Sequence, residues 1–348
     1  MDVKIGVIGF GWMAFHHYSE IIPKGEGIEV ACAYDIDPAR LEFAKELGIK
    51  TYDSLDALLA SDVNTVLVAT PNDVHKKYAI AALRAGKHVI CEKPATMNAG
   101  ELREIVKAAG ECGKIFTVHH NRRTDIDFLT VKKVVEGGAL GRTFFVESRV
   151  QGANGIPGDW RRVASAGGGM LLDWAVHLID QLLYMSKSRV VQVYSVMNCI
   201  NYDVDDNIKV FLQFEDGLFA QVEVLTACFQ PLPRWHVVGS DGTLDIQGFA
   251  ADGSIVRGTV KEVDWSLDAV KHAAGTTRTM RPRPASTIET LELPKVSAQK
   301  SDYYRNFRAA VNGEAELLVK PQEVLRVIEI CDLCFESAKQ GKSMSCSI

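Results

Sequence analysis

Asp173 and His177 stand four residues apart in the run from Gly167 to Asp180, Gly-Gly-Gly-Met-Leu-Leu-Asp-Trp-Ala-Val-His-Leu-Ile-Asp. On a helix that spacing puts both on one face with Cβ atoms about 5–6 Å apart, so the carboxylate can orient the imidazole and favour its protonated form. The chemistry is that of an acid/base pair. Three glycines tolerant of unusual backbone angles precede apolar residues at helical spacing, so a flexible turn is expected to feed a helix. The same D-x-x-x-H spacing also describes a plain polar stripe, and the pair therefore needs a partner. Lys93 offers one. It follows the apolar strand His88 to Cys91 and precedes Pro94, a place from which a partly desolvated ammonium can donate to a substrate hydroxyl and stabilise a developing alkoxide. A cis Lys93-Pro94 bond would fix the turn.

The elements that must position these groups begin at the N-terminus. Val3 to Ile8 reads as a buried strand, followed by Gly9-Phe-Gly11-Trp12-Met13-Ala14 and a helix expected from Trp12 to Ile22. In such a G-x-G-x-x-A, Gly9 allows the tight turn, Gly11 lets a pyrophosphate approach the backbone, and Ala14 permits close packing of helix on strand. The helix N-terminus, with Trp12 and Met13, favours the phosphate charge. A second strand, Ile28 to Tyr34, ends at Asp35, placed to hydrogen-bond the adenosine ribose hydroxyls. Asp35 would repel a 2′-phosphate, although Arg40 could partly answer one, so NAD is expected over NADP. Asp37 before Pro38 is the expected cap of the next helix. Strands and helices then alternate to Cys91, which implies a parallel, doubly wound α/β sheet with ligands at its carboxyl edge. Thr70-Pro71-Asn72-Asp73-Val74-His75 and Glu92-Lys93-Pro94 fall at that edge.

Composition narrows the alternatives. The chain has 348 residues, 47% of them hydrophobic, and a formal net charge of -5 with its basic residues dispersed, a pattern that gives nucleic acid no long-range attraction. No apolar run reaches a membrane span and no signal-peptide core opens the chain, so a cytoplasmic, soluble protein is expected. The eight cysteines are expected to be reduced, and Cys331-x-x-Cys334 lies inside a helical pattern where packing explains it.

G-x-G-x-x-A, Thr-Pro-Asn-x-x-His, the Gly86-to-Pro94 run ending in Glu-Lys-Pro, and Gly-Gly-Gly-x-Leu-x-Asp-x-x-x-His together resemble, in order and over most of the chain, the glucose-fructose oxidoreductase and inositol dehydrogenase family (Gfo/Idh/MocA). The resemblance implies that Lys93 lies beside the nicotinamide and the reacting carbon. It implies further that Thr70, Pro71, Asn72, His75 and Glu92 line the cofactor. His119-His120-Asn121-Arg122-Arg123 matches the crossing into a second domain, where relatives often carry glycine and an aromatic residue in place of the two histidines. Neighbouring strand residues face opposite ways and no carboxylate cluster is adjacent in sequence, so no metal site is expected there. Asn121 is a candidate substrate contact and Arg123 a structural or cofactor-side one. In Asp159-Trp160-Arg161-Arg162, Trp160 can stack on a sugar face and Arg161 can reach its hydroxyls.

After a helix from Phe128 to Glu136 the chain turns strand-rich, with hairpin turns at Asp216-Gly217 and Asp241-Gly242. An NAD-binding Rossmann domain over 1–120 and an α+β substrate domain over 121–348, built on a large open and mainly antiparallel sheet, are expected. By resemblance that sheet builds a homodimer or homotetramer. Residues 248–300, with Lys271, His272, Arg278, Arg281 and Arg283, read as a long exposed insertion, either a cover or an intersubunit arm. Helices from Ser301 to Asn312 and Pro321 to Lys339 close the chain, the latter apolar at Val324, Ile328, Cys331 and Phe335.

The expected function is NAD-dependent oxidation of a secondary alcohol of a sugar, glycoside or cyclitol. His177 would accept the hydroxyl proton, Asp173 would orient it, and Lys93 would polarise the oxygen. An NAD-dependent glycosidase using transient oxidation, and a non-catalytic NAD-binding regulator, are the alternatives. Retention of Lys93, Asp173 and His177 together speaks against the regulator.

Overall fold

The computed structural model describes residues 1–263, 270–277 and 282–348. Strands β1 (Val3–Ile8), β2 (Ile28–Tyr34), β3 (Lys50–Thr51), β4 (Thr65–Val68), β5 (His88–Cys91) and β6 (Phe116–Val118) form a parallel sheet in the order β3-β2-β1-β4-β5-β6. Every residue of β4 is buried, as a strand covered on both faces requires. Strand order reverses between β1 and β4, and the carboxyl ends of this pair open the crevice where doubly wound sheets bind ligands. Helices α1 (Trp12–His16), α2 (Pro38–Glu46), α3 (Leu55–Leu59), α4 (His75–Arg84) and α5 (Ala99–Cys112) connect the strands. Asp37 caps α2, its side chain accepting from the Ala39 N–H at 2.9 Å with Pro38 in the first turn. The helix expected to reach Ile22 is α1 followed by a π turn over His17–Ile21.

Beyond α6 (Ile126–Glu136) lies the second sheet. It is built from β7 (Thr143–Gln151), β8 (Val190–Asn198), β9 (Asn207–Phe214), β10 (Phe219–Leu225), β11 (Trp235–Gly239), β12 (Gly242–Ile246) and β13 (Gly253–Gly258). A separate hairpin of β14 (Val270–His272) and β15 (Gly275–Thr277) follows, and β16 (Ile288–Leu291) and β17 (Met344–Ser345) complete the large sheet, which has nine strands in the order β16-β13-β12-β11-β7-β10-β9-β8-β17. Its pairings are antiparallel except β7 with β10. Helices α7 (Val176–Met185), α8 (Asp302–Val311) and α9 (Pro321–Gln340) carry the rest.

Two expectations need correcting. Residues 248–300, expected as a long exposed insertion, include β13 and β16, which extend the large sheet; Arg278 and Arg281 lie outside the described residues. Phe335 is 38% exposed rather than core, whereas Val324, Ile328, Cys331 and Cys334 are buried, so the apolar face of α9 is narrower than the sequence pattern implies.

The C-terminal helices also reach back to the first sheet. Lys300 pairs with Glu20 (2.7 Å), Arg305 with Glu26 (2.7 Å), and the Thr117 hydroxyl donates to the Val319 carbonyl at 2.8 Å. Arg123 joins α7 to α9 from the buried interior, forking onto Asp180 at 2.8 and 2.6 Å and meeting Glu323 at 2.6 Å. That is its structural role. Among the described residues no helix is long and apolar enough to cross a membrane.

Candidate active site

The glycine turn after β1 is shaped from below. Gly9 has φ +86°, and a Cβ there would sit 2.7 Å from the Ala69 carbonyl oxygen and from Thr70 Cγ2, so only glycine fits. Around Gly11, by contrast, a Cβ would meet nothing within 4 Å, and no side chain caps α1 at this residue. An open backbone at a helix N-terminus suits a pyrophosphate. Asp35 braces this turn, accepting from the Phe10 N–H at 2.6 Å and the Asp37 N–H at 2.8 Å. Met13 is half-buried, Arg40 is exposed on α2, and Trp12, 70% exposed, stacks on His16 at 5.3 Å.

The loops after β4 and β5 hold one another. Both ring nitrogens of His75 lie on main-chain oxygens, Nδ1 on Pro94 at 2.8 Å and Nε2 on Thr70 at 2.9 Å, and the Lys93-Pro94 peptide is cis. His75 thereby fastens the two loops together. Buried Asn72 donates from Nδ2 to the Gly167 carbonyl at 2.9 Å, tying the first sheet to the glycine run. Thr70 and exposed Pro71 complete the rim.

Lys93 crosses to the second half of the molecule. Its Nζ donates to Asp173 Oδ1 and to the Asp173 main-chain oxygen, both at 2.8 Å. Arg161 Nε reaches the same Oδ1 at 3.3 Å, while its Nη1 donates to Asp159 at 2.7 Å and its guanidinium stacks on half-buried Trp160 at 4.6 Å. Arg161 is thus engaged by two carboxylates. Half-buried Asn121 opens the 3₁₀ turn Asn121–Thr124, its carbonyl accepting from the Thr124 hydroxyl at 2.8 Å.

The expected Asp173–His177 hydrogen bond is not formed. Leu171–Ala175 is a π turn, whose wider winding removes the stacking that a spacing of four gives on an α-helix. Asp173 turns to Lys93 and Arg161. His177 Nδ1 is buried without a hydrogen-bond partner, and the ring packs edge-on against Trp174 (6.1 Å) and His120 (6.2 Å). Burial, with the charges of Lys93, Arg122 and His120, holds the His177 imidazole well below its usual pKa, so it is neutral near pH 7. Burial pushes Asp173 up, but Lys93 and Arg161 more than offset this and leave it below the usual carboxylate range.

Two arrangements were beyond sequence reasoning. Glu92, expected to line the cofactor, has its Oε1 2.6 Å from His17 Nε2 and 2.8 Å from His119 Nδ1, with the Tyr304 hydroxyl 2.6 Å from His17 Nδ1. A carboxylate does therefore sit beside His119, and His17, Glu92 and His119 form a set with metal-ligand chemistry, their ligand atoms within 4.8 Å of one another. The contacts are those of hydrogen bonds, with the Glu92 carboxylate accepting from both rings. Burial would raise Glu92, but His119 and His17 hold it well below its ordinary value, while burial first and the neighbouring His119 second lower His17 to about 4. Glu92 Oε2 also accepts from the Lys93 N–H at 3.2 Å.

The second arrangement fastens the active turn from the large sheet. Asp205 accepts from the Leu171 N–H at 2.6 Å through Oδ2 and from the Met170 N–H at 2.8 Å through its main-chain oxygen. A Cβ on Gly169, at φ +105°, would collide with Asp205 Oδ1. Burial raises Asp205 to about 6 against these hydrogen bonds. An acidic residue after a hydrophobic strand was the available signal, but nothing in the sequence says which turn it meets.

With this geometry in place, the chain is assigned to the GFO/IDH/MocA oxidoreductase family. Residues 3–120 match the family's NAD-binding Rossmann fold and residues 128–245 match its C-terminal domain. The chain is similar to a solved NAD-binding protein from Listeria innocua, 39% identical with TM-score 0.89, covering 99% of this chain and 97% of that one. It is also similar to scyllo-inositol 2-dehydrogenase (NADP(+)) IolW of Bacillus subtilis, at 27% identity over 98% of this chain and 95% of the relative. Inositol 2-dehydrogenase of Rhodococcus erythropolis is 30% identical over 76% of each chain. The protein is an oxidoreductase of the sugar and cyclitol dehydrogenase family.

Proposed function

We propose that this protein oxidises a secondary alcohol of a sugar or cyclitol, with NAD as the preferred cofactor and Lys93, Asp173 and His177 in contact with the reacting carbon's hydroxyl. The supporting observation is the meeting of Lys93 and Asp173, 80 residues apart, next to a neutral imidazole and at the carboxyl edge of a dinucleotide-type sheet. Bound nicotinamide would supply the hydride acceptor. Neutral His177 takes the hydroxyl proton; general-base assistance of this kind contributes about 10²- to 10⁴-fold. Lys93, aimed by Asp173, donates to the oxygen as it gains charge. Gly9, Gly11, Trp12 and Met13 hold the pyrophosphate and Asp35 the ribose. The carboxylate of Asp35 at the end of β2 favours NAD over a 2′-phosphate, although a relative is named for NADP. Asn121, Trp160 and Arg161 border the substrate.

We further read the open face of the large sheet as a homo-oligomer contact. Tyr194, Phe211, Phe219 and Phe145 run across four adjacent strands of it with ring centroids 5.8–6.1 Å apart. Eight free thiols suit the reducing cytoplasm.

Lys93→Ala tests the reading. NAD titration should give an unchanged affinity while NADH production from a panel of cyclitols, aldoses and glycosides falls at least about 10³-fold. Ordinary turnover in this variant would end the assignment, and aglycone release without net NADH would identify a glycosidase instead.

A further inference from the structure

Arg122, the residue after Asn121, lies against a pair of touching aromatic rings, Trp174 and Phe249, whose centroids are 6.1 Å apart. Its guanidinium carbon lies 4.1 Å from the ring centroid of Trp174 and 5.2 Å from that of Phe249. Trp174 is next to Asp173 in the chain and packs against His177. Phe249 comes from the turn between β12 and β13, part of the stretch whose purpose the sequence did not disclose; it is 45% exposed and also covers Arg234 at 5.1 Å. The charge of Arg122 is among those that hold His177 neutral, which places it within electrostatic reach of that ring.

The hydrogen bonding of Arg122 is one-sided. Nη1 donates to Asp125 at 2.9 Å, but Nε is buried without an acceptor, and among the described residues Nη2 has none either. A buried donor left unmade costs about 1–3 kcal/mol, so such a group calls for a partner. Nε–H and Nη2–H form one straight edge of the guanidinium, two parallel donors at the spacing of a carboxylate's oxygens. The terminal nitrogens separate Arg122 from the neighbouring cations: Lys93 and Arg161 are engaged by Asp173 and Asp159, and Arg234, whose Nε near Asp127 is likewise without a hydrogen bond, donates from Nη1 to Ser148 (2.6 Å) and from Nη2 to Gln181 (3.2 Å).

We propose that the Nε–Nη2 edge of Arg122, held against Trp174 and Phe249, binds the carboxylate of the substrate, which is therefore a sugar acid with its secondary alcohol at Lys93 and His177. This rests on the oxidation proposed above. Phe249 serves as the wall that keeps water from the ion pair and so sets the preference for an acid over its neutral parent.

The test compares D-glucuronate and D-galacturonate with D-glucose and D-galactose, by NADH production and by calorimetric binding to the NADH-loaded protein. At least one uronate should exceed its parent about 30-fold or more in kcat/KM. Arg122→Gln and Arg122→Lys should collapse that ratio to within about threefold, chiefly through KM, with uronate affinity at least about tenfold weaker. Phe249→Ala, at an exposed position that folding tolerates, should raise the uronate KM about three- to tenfold. Parents oxidised as well as their acids, uronates that do not bind, or an Arg122→Gln protein that keeps both ratio and affinity would each overturn the assignment. If no sugar of either kind yields NADH, the oxidation reading fails, and the calorimetric difference between wild type and Arg122→Gln still decides the role of Arg122.

Discussion

Glu92 and Lys93 are consecutive residues at the end of one strand, and they enter opposite kinds of charge cluster. The Glu92 cluster is closed. Its carboxylate faces two imidazoles in the interior, one of them held from behind by Tyr304, with side-chain exposures of 0% for His17, 1% for His119 and 7% for Glu92; among the described residues only His119 Nε2 in it lacks a partner. The Lys93 cluster is less enclosed: Lys93 and Asp173 keep 15% and 11% of their side-chain surface, and the His177 and Arg122 beside them have nitrogens with no protein partner. A buried carboxylate surrounded by donors is a structural clamp, whereas a charged pair that keeps part of its surface can be reached by another molecule. The difference places an enclosed charge cluster and a partly exposed one at consecutive residues of one strand end.

Three substitutions would break or sharpen that contrast. The largest effect is expected for Glu92→Gln, which leaves His17 and His119 donating to a half-donor amide in a dry interior; thermal or urea unfolding should show a loss of about 3–5 kcal/mol. Asp173→Asn should lose less stability, because water can reach its partners, yet lower kcat about 10²-fold, near 2.7 kcal/mol of transition-state energy. Equal destabilisation in the two proteins would erase the distinction. The smallest effect belongs to Asp205, whose carboxyl is raised from 3.8 to about 6 by burial. The folded state then holds more protons than the unfolded one between these values. The stabilising contribution is fully present below about pH 4 and is lost as pH rises through about 6. Asp205→Asn keeps an acceptor for the Leu171 N–H but cannot ionise, so it should melt above wild type at pH 8, by up to about 2 kcal/mol, and alike at pH 4. A gap independent of pH would show that the carboxyl does not titrate in this window.

The glycine turn, the alternation of strands and helices and the place of Lys93 were legible because each is written in contiguous residues with one physical meaning. Asp173 and His177 were legible as residues but not as a pair, since their spacing was read on an α-helix and the chain makes a π turn there. The Glu92 cluster was illegible for a different reason. His17, Glu92, His119 and Tyr304 come from four separated elements, with 287 residues between the two ends of the Tyr304–His17 contact. Local pattern carries no trace of such a meeting. Strands β13 and β16 were missed because they are short and are paired across a long intervening stretch.

That contact of Tyr304 with His17 has a consequence for dissecting the chain. The N-terminal and C-terminal halves are not interchangeable cassettes, because α8 lies late in the chain yet completes the hydrogen bonding of the π turn after α1 through Tyr304. A chimera that joins residues 1–120 to the sheet of a relative inherits whatever that relative carries in place of Tyr304. Unless residues 302–311 travel with the first half, the turn that presents Lys93 rests on a histidine whose Nδ1 has lost its donor.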